Sequence, residues 1–170
     1  MALYGIERVL SEVKVALVAG LPAKLTALAA EYADSVALPA PDTATGYYCE
    51  PLAPDPKADL LGLTAPAALI FPLSQTPTEP DIGNGYAMSY AFVVATLCQA
   101  ADKHTMGLLL MRYLRAIAEV LSAAQALPCG DCYLADVDWR ARDLTPSDAD
   151  YTRQAVLAAF VVRTIEQVST

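Results

Sequence analysis

Tyr86-Ala-Met-Ser-Tyr-Ala-Phe-Val-Val-Ala-Thr-Leu97 decides the fold. Tyr86, Met88, Tyr90, Phe92 and Val94 alternate with Ala87, Ser89, Ala91, Val93 and Ala95. Successive strand side chains point to opposite faces, so this strand has one large face and one small face. The large face asks for a layer of helices. The small face is suited to another subunit or another sheet. Ile82-Gly83-Asn84-Gly85, just upstream, is a turn signal.

Downstream, residues 102–126 read as the best helix. Leu110, Leu114, Ile117 and Leu121 form its apolar stripe, and Arg112, Arg115, Glu119 and Ser122 form the expected wet face. Asp102 can cap the start, and Pro128 ends the pattern. Tyr133, Ala135, Val137 and Trp139 then alternate with Leu134, Asp136, Asp138 and Arg140, which predicts a half-buried strand. Residues 143–150 form a polar turn with Pro146. Residues 151–168 admit a helix capped by Ser147 or Asp148. Val156, Val161, Val162, Thr164 and Ile165 are β-branched and favour a strand, which would make a hairpin with the Trp139 strand.

Upstream, residues 39–80 hold nine of the 12 prolines. Acids there and at Asp81 outnumber Lys57, the single base. Proline removes backbone donors, so this reads as a long irregular excursion, with short strands at 46–49 and 67–73. Loops of this length tend to be functional or disordered, or are tolerated surface. Leu3, Ile6, Leu10, Val13 and Leu17 recur at helical spacing. Gly20-Leu21-Pro22 interrupts them, and Leu25, Leu28 and Tyr32 resume the stripe. A kinked helix or two short ones is expected. The fold class is therefore α+β: one domain over residues 1–170, with helices on one face of an antiparallel sheet and a Pro-rich loop or arm at 39–81.

Of 170 residues, 55% are apolar and only 18% charged, so whole-chain disorder is excluded and surface buried in partners is expected. The net charge of −8 argues against a nucleic-acid-binding face. The longest apolar stretch, Tyr86 to Ala101, is too short and polar for a span, which needs about 20 apolar residues. Glu7 and Arg8 stand where a signal peptide would be apolar. No membrane partner is expected, and the four cysteines suit a reducing cytoplasm.

No catalytic, cofactor-binding or metal set is complete. Cys129-Gly130-Asp131-Cys132 has the spacing of a zinc or redox pair, but only Cys49, Cys98 and His104 could add soft ligands. The motif also closes a helix instead of opening one. His104 is the sole histidine and sits at a helix start. Asp131, Asp136 and Asp138, with Arg140 and Arg142, suit a solvated strand face or a charged subunit contact; acid–base work would need a desolvated cleft. Asp81-Ile82-Gly83-Asn84-Gly85 lacks the spacing and lysine of a phosphate loop.

With Leu21-Pro-Ala-Lys-Leu-Thr-Ala-Leu-Ala-Ala-Glu-Tyr32 and Ala155-Val-Leu-Ala-Ala-Phe-Val-Val-Arg163, the order of elements over residues 3–168 resembles tailed-bacteriophage neck proteins, the tail terminator and tail-completion group. The resemblance implies a non-enzymatic virion protein made in the host cytoplasm, without cofactor or metal. It implies a homo-oligomeric ring, commonly a hexamer, that ends the tail tube and joins tail to head. Implied partners are the subunit itself, the tail tube protein and head–tail connector proteins, with DNA passing through the ring. The 39–81 stretch is longer than the loops of that group. A head-closure or connector role, an adaptor without a ring, and a small cytoplasmic enzyme using Asp136, Asp138 or His104 remain alternatives.

Overall fold

In the computed structural model, residues 5–50, 62–81, 85–123, 127–145 and 149–167 are described, with the backbone alone at 78–81, 85–86, 139–142 and 165–167. The elements are α1 (Ile6–Tyr32), β1 (Tyr47–Cys49), β2 (Ala67–Asp81), β3 (Gly85–Ala100), α2 (Lys103–Leu121), β4 (Asp131–Asp143) and β5 (Thr152–Gln167). The five strands form one sheet in the order β1-β2-β3-β5-β4. Only β1, which pairs with β2, is parallel to its neighbour; the other pairings are antiparallel. The expected α+β class holds.

β3 sits at the centre of this sheet, and its two faces part as the alternation predicts. Tyr90, Phe92, Val94 and Cys98 join Val156, Ala158, Phe160 and Val162 of β5 in the main core beneath the helices. Phe92 and Phe160, directly paired, stack with ring centroids 5.7 Å apart. Each such side chain contributes about 1.5–3 kcal/mol by leaving water. The opposite face keeps a second, smaller cluster at one end only. There Ala67, Leu69, Phe71, Val93, Ala95 and Leu97 are covered by Leu63, Ala65 and Leu144.

Residues 151–168 resolve as strand. Every residue from Thr152 to Gln167 has a partner on β3 in an unbroken register. The β-branched residues fit the pleat, and pairing on both sides outweighs any cap at 147–148, which lies outside the described residues.

Four expectations need correction. First, α1 is one helix of 27 residues that runs through Pro22, so of the two alternatives the pair of short helices is overturned and the single helix stands. The donor lost at Pro22 is outweighed by Leu17, Leu21, Leu25 and Leu28, each at most 1% exposed. Second, residues 74–81, expected as loop, continue β2. Pro72 and Pro77 lie beyond Ile70, the last residue paired to β1, on an edge where a sheet tolerates proline. Third, the alternation expected in β4 breaks. The register shifts between Leu134 and Asp136, so Tyr133 and Asp136 share the outer face while Val137 packs on the core. Fourth, Arg112 is 5% exposed, not wet. Residues 51–61 of the Pro-rich stretch and the 82–84 turn lie outside the described residues.

Membrane compatibility also differs from expectation. α1, not residues 86–101, is long and apolar enough to cross a membrane by length and composition, although its leucine face is committed to the core.

Candidate functional site

The residues with chemical potential do not converge. Cys129 and Cys132 are both buried, and burial pushes each thiol up to about 12. At Cys129 the Glu12 carboxylate adds to this, since it accepts the Cys129 N–H at 2.9 Å and faces the thiol. A thiolate is the nucleophile and metal ligand, so this environment opposes both uses. Buried Cys98 is likewise pushed up to about 12, and half-buried Cys49 is raised by burial. No group of three or more metal-ligating side chains occurs among the described residues. Gly130 between the cysteines has φ +154°, and a Cβ there would lie 2.0 Å from the Arg163 carbonyl oxygen. The motif is thus a tight return of chain onto β5, tied to α1 through Glu12.

His104 is exposed in the first turn of α2. Asp102 caps that helix as expected, accepting the Thr105 N–H at 2.9 Å and its hydroxyl at 2.7 Å. Those bonds lower the Asp102 carboxyl. Asp131 and Asp136 are exposed on β4, and Asp138 is half-buried. The register places all three on the sheet's outer face, opposite Arg163, Ala159 and Leu157. Arg142 pairs with Ala155 in the ladder; the side chains of Trp139, Arg140 and Arg142 lie outside the described ones.

A cavity of about 640 Å³ lies between residues 35–39, residues 63–66, the end of β3 and the start of α2. Its described lining has no carboxylate and no histidine. Its polar groups include Gln99, Thr105, Tyr113 and Arg153. Tyr113 donates to the Pro39 carbonyl, and Arg153 donates to that of Leu63, so both hold loops. Asp136, Asp138 and His104, the residues an enzyme reading would use, are not among its lining residues.

Sequence reasoning missed a charged cluster where α1 meets α2. Arg112 bonds both oxygens of Asp34 and lies 4.2 Å from the Tyr32 ring centroid. Arg115 reaches Glu31 at 2.8 Å and Glu119 at 2.7 Å. The Arg112 guanidinium, with the Val36 N–H, holds the Asp34 carboxyl at about 2. The sequence signal was present as Glu31, Tyr32 and Asp34 at the end of one helix, opposite Arg112 and Arg115. Gly20 belongs to the same packing: a Cβ there would approach Val120 Cγ1 to 3.0 Å, so glycine allows the two helices to close.

Three surfaces stay open among the described residues. The outward side of α1 carries exposed Val15, Ala19, Ala23, Ala27 and Ala30, with Val15 65% exposed. The outer sheet face beyond the second cluster presents Ala87, Ser89, Ala91 and Val161, all only partly buried. β4 forms the end of the sheet, without proline, and exposes Tyr133 (40%) and Leu134.

No protein-family model matches this chain, and no curated protein matches it. Among solved structures, it is similar to a chain of a particle described as "Virion of native gene transfer agent (GTA) particle", at 19% identity and a TM-score of 0.36, covering 88% of this chain and 94% of that one. That TM-score is too low for the likeness to bear on function.

Proposed function

We propose that this chain is a structural virion protein of the tailed-phage neck, acting as one subunit of a homo-oligomeric ring. In this reading the ring ends the tail tube and joins it to the head, and the chain performs no catalysis. One observation carries the reading: between Val13 and Ala30 the side of α1 turned away from its leucines is mainly alanine around Val15, which is 65% exposed, and no described residue covers it. A helix stretch with so little polar surface suits the inside of an assembly. The open sheet face and the β4 end lie elsewhere on the surface, so two different patches are available. A ring needs two unlike patches that meet head to tail. The dispersed titratable groups and a cavity whose described lining has neither carboxylate nor histidine favour this over an enzyme.

Electron microscopy of particles made without this chain tests the role. Filled heads and separate tails are expected. A normal yield of joined particles overturns it.

A further inference from the structure

Going beyond the ring reading, we propose that the outer edge of β4 pairs antiparallel with β4 of a second copy of this chain, about a two-fold axis at Trp139. Among the described strands β4 ends the sheet, and a strand in that position presents backbone donors and acceptors to a further strand. Its charges are ordered. In Asp136-Val-Asp138-Trp139-Arg140-Ala-Arg142 the acids precede the tryptophan and the bases follow it at the same distances. Two such strands laid antiparallel about Trp139 set Asp136 opposite Arg142 and Asp138 opposite Arg140, and the symmetry repeats both pairs. Val137 then stands opposite Ala141. Directly opposed residues of an antiparallel ladder share a face, and opposite charges there stabilise the pairing. No other antiparallel self-register sets all four charges against their opposites. Moving the axis to residue 138 or 140 sets Asp138 or Arg140 against itself. Parallel pairing in register sets acid on acid and base on base.

The far end of the sheet is a poorer partner for this edge. β1 has three residues, and beyond Ile70 the edge of β2 carries Pro72, Pro77 and Pro80, which lack donors, with Glu79 and Asp81 beside them. An unrelated extended segment would need its own matching order of charge, whereas a second copy carries the complement already. The ladder from β4 to β5 shifts register between Asp138 and Arg142, close to the axis. Such a shift bends and twists a strand; in a two-fold pair both copies bend alike, so the charges keep their register. Leu144 is buried in the second cluster, which limits the contact to residues 135–143. The outward side of α1 and the open sheet face stay available for head-to-tail association.

The test is sedimentation of the full chain over a concentration series, at low and high salt, beside charge-exchanged variants. Wild type should dimerise, and less tightly as salt screens the paired charges. Asp136→Arg/Asp138→Arg and Arg140→Asp/Arg142→Asp each set like charges against one another at every place. Each alone should dimerise at least roughly tenfold more weakly. Mixed in equal amounts they restore every pair, and should form a heterodimer at the wild-type concentration. The chain with all four changes should pair with itself and not with wild type. Trp139→Cys, in a Cys49→Ala background, supplies a check that keeps the four charges even where an exchanged variant fails to fold. Directly opposed Cα atoms lie about 4.5–5.5 Å apart, within disulfide reach. Mild oxidation should cross-link Trp139→Cys chains, and should leave Val15→Cys chains single. A wild type without a dimer, a mixture that stays monomeric, or Trp139→Cys chains that do not cross-link would overturn the pairing. Rings that lack a two-fold contact would overturn it and leave the ring reading standing; a dimer that never gives rings would do the reverse.

Discussion

At single residues, Gly130 and Asp34 make the sharpest demands. Gly130→Ala adds a Cβ that meets the Arg163 carbonyl and must also hold φ near +154°. A loss of about 2 kcal/mol or more is expected, read as a fall in denaturation midpoint at unchanged m-value. An unchanged midpoint would mean the loop relaxes freely. Asp34 has a folded pKa near 2 against an ordinary 3.8, held down chiefly by Arg112. The unfolded chain therefore takes up this proton first as pH falls. The pair's contribution is complete above about pH 4 and is lost progressively toward pH 2. Asp34→Asn should flatten the stability profile in that window and leave the pH dependence near neutrality alone. The cysteines offer a third check. With Cys98, Cys129 and Cys132 buried and their thiols pushed up to about 12, a disulfide reagent at pH 8 should label Cys49 quickly and the others only on unfolding. Rapid labelling of Cys129 or Cys132 would revive a redox role.

Among the elements, α2 shows how far the sequence could be read. Its stripe of Leu110, Leu114, Ile117 and Leu121 is buried as the spacing demands. Leu114→Asp places an unpaired carboxylate in the core at a cost of several kcal/mol, and should yield no soluble, cooperatively melting protein. Such a protein in hand would show that the stripe faces elsewhere. Its opposite face misled at Arg112, because periodicity reports the polarity of a side chain and not what a distant turn brings to it. Tyr32 and Asp34 are about eighty residues upstream, and no local pattern links them to Arg112. The strands divide on the same line. β3 and β5 alternate or are β-branched and were legible. β2 was cut short because proline argues against strand everywhere except at an edge, and edge position is a property of the whole sheet. The shift in β4 near Ala135 moves Tyr133 outward, and nothing in the composition announces a bulge. The candidate site was legible only as a small-residue strand face. The outward side of α1 escaped notice because alanines count as apolar wherever they point.

For the whole molecule, the unequal distribution of apolar surface and charge is the central fact. Among the described residues, the protomer completes a main core and a smaller second cluster and leaves a helix side, a sheet face and a sheet end open. Association through two unlike patches propagates head to tail and closes when the rotation per subunit divides a circle. The most direct measurement is the native mass of the purified full chain over a concentration series, alone and after incubation with tail tubes. A closed oligomer of one stoichiometry, with cyclic symmetry in image averages, is the predicted result. A chain that stays monomeric in both settings, or stops at a two-fold dimer, would contradict the ring.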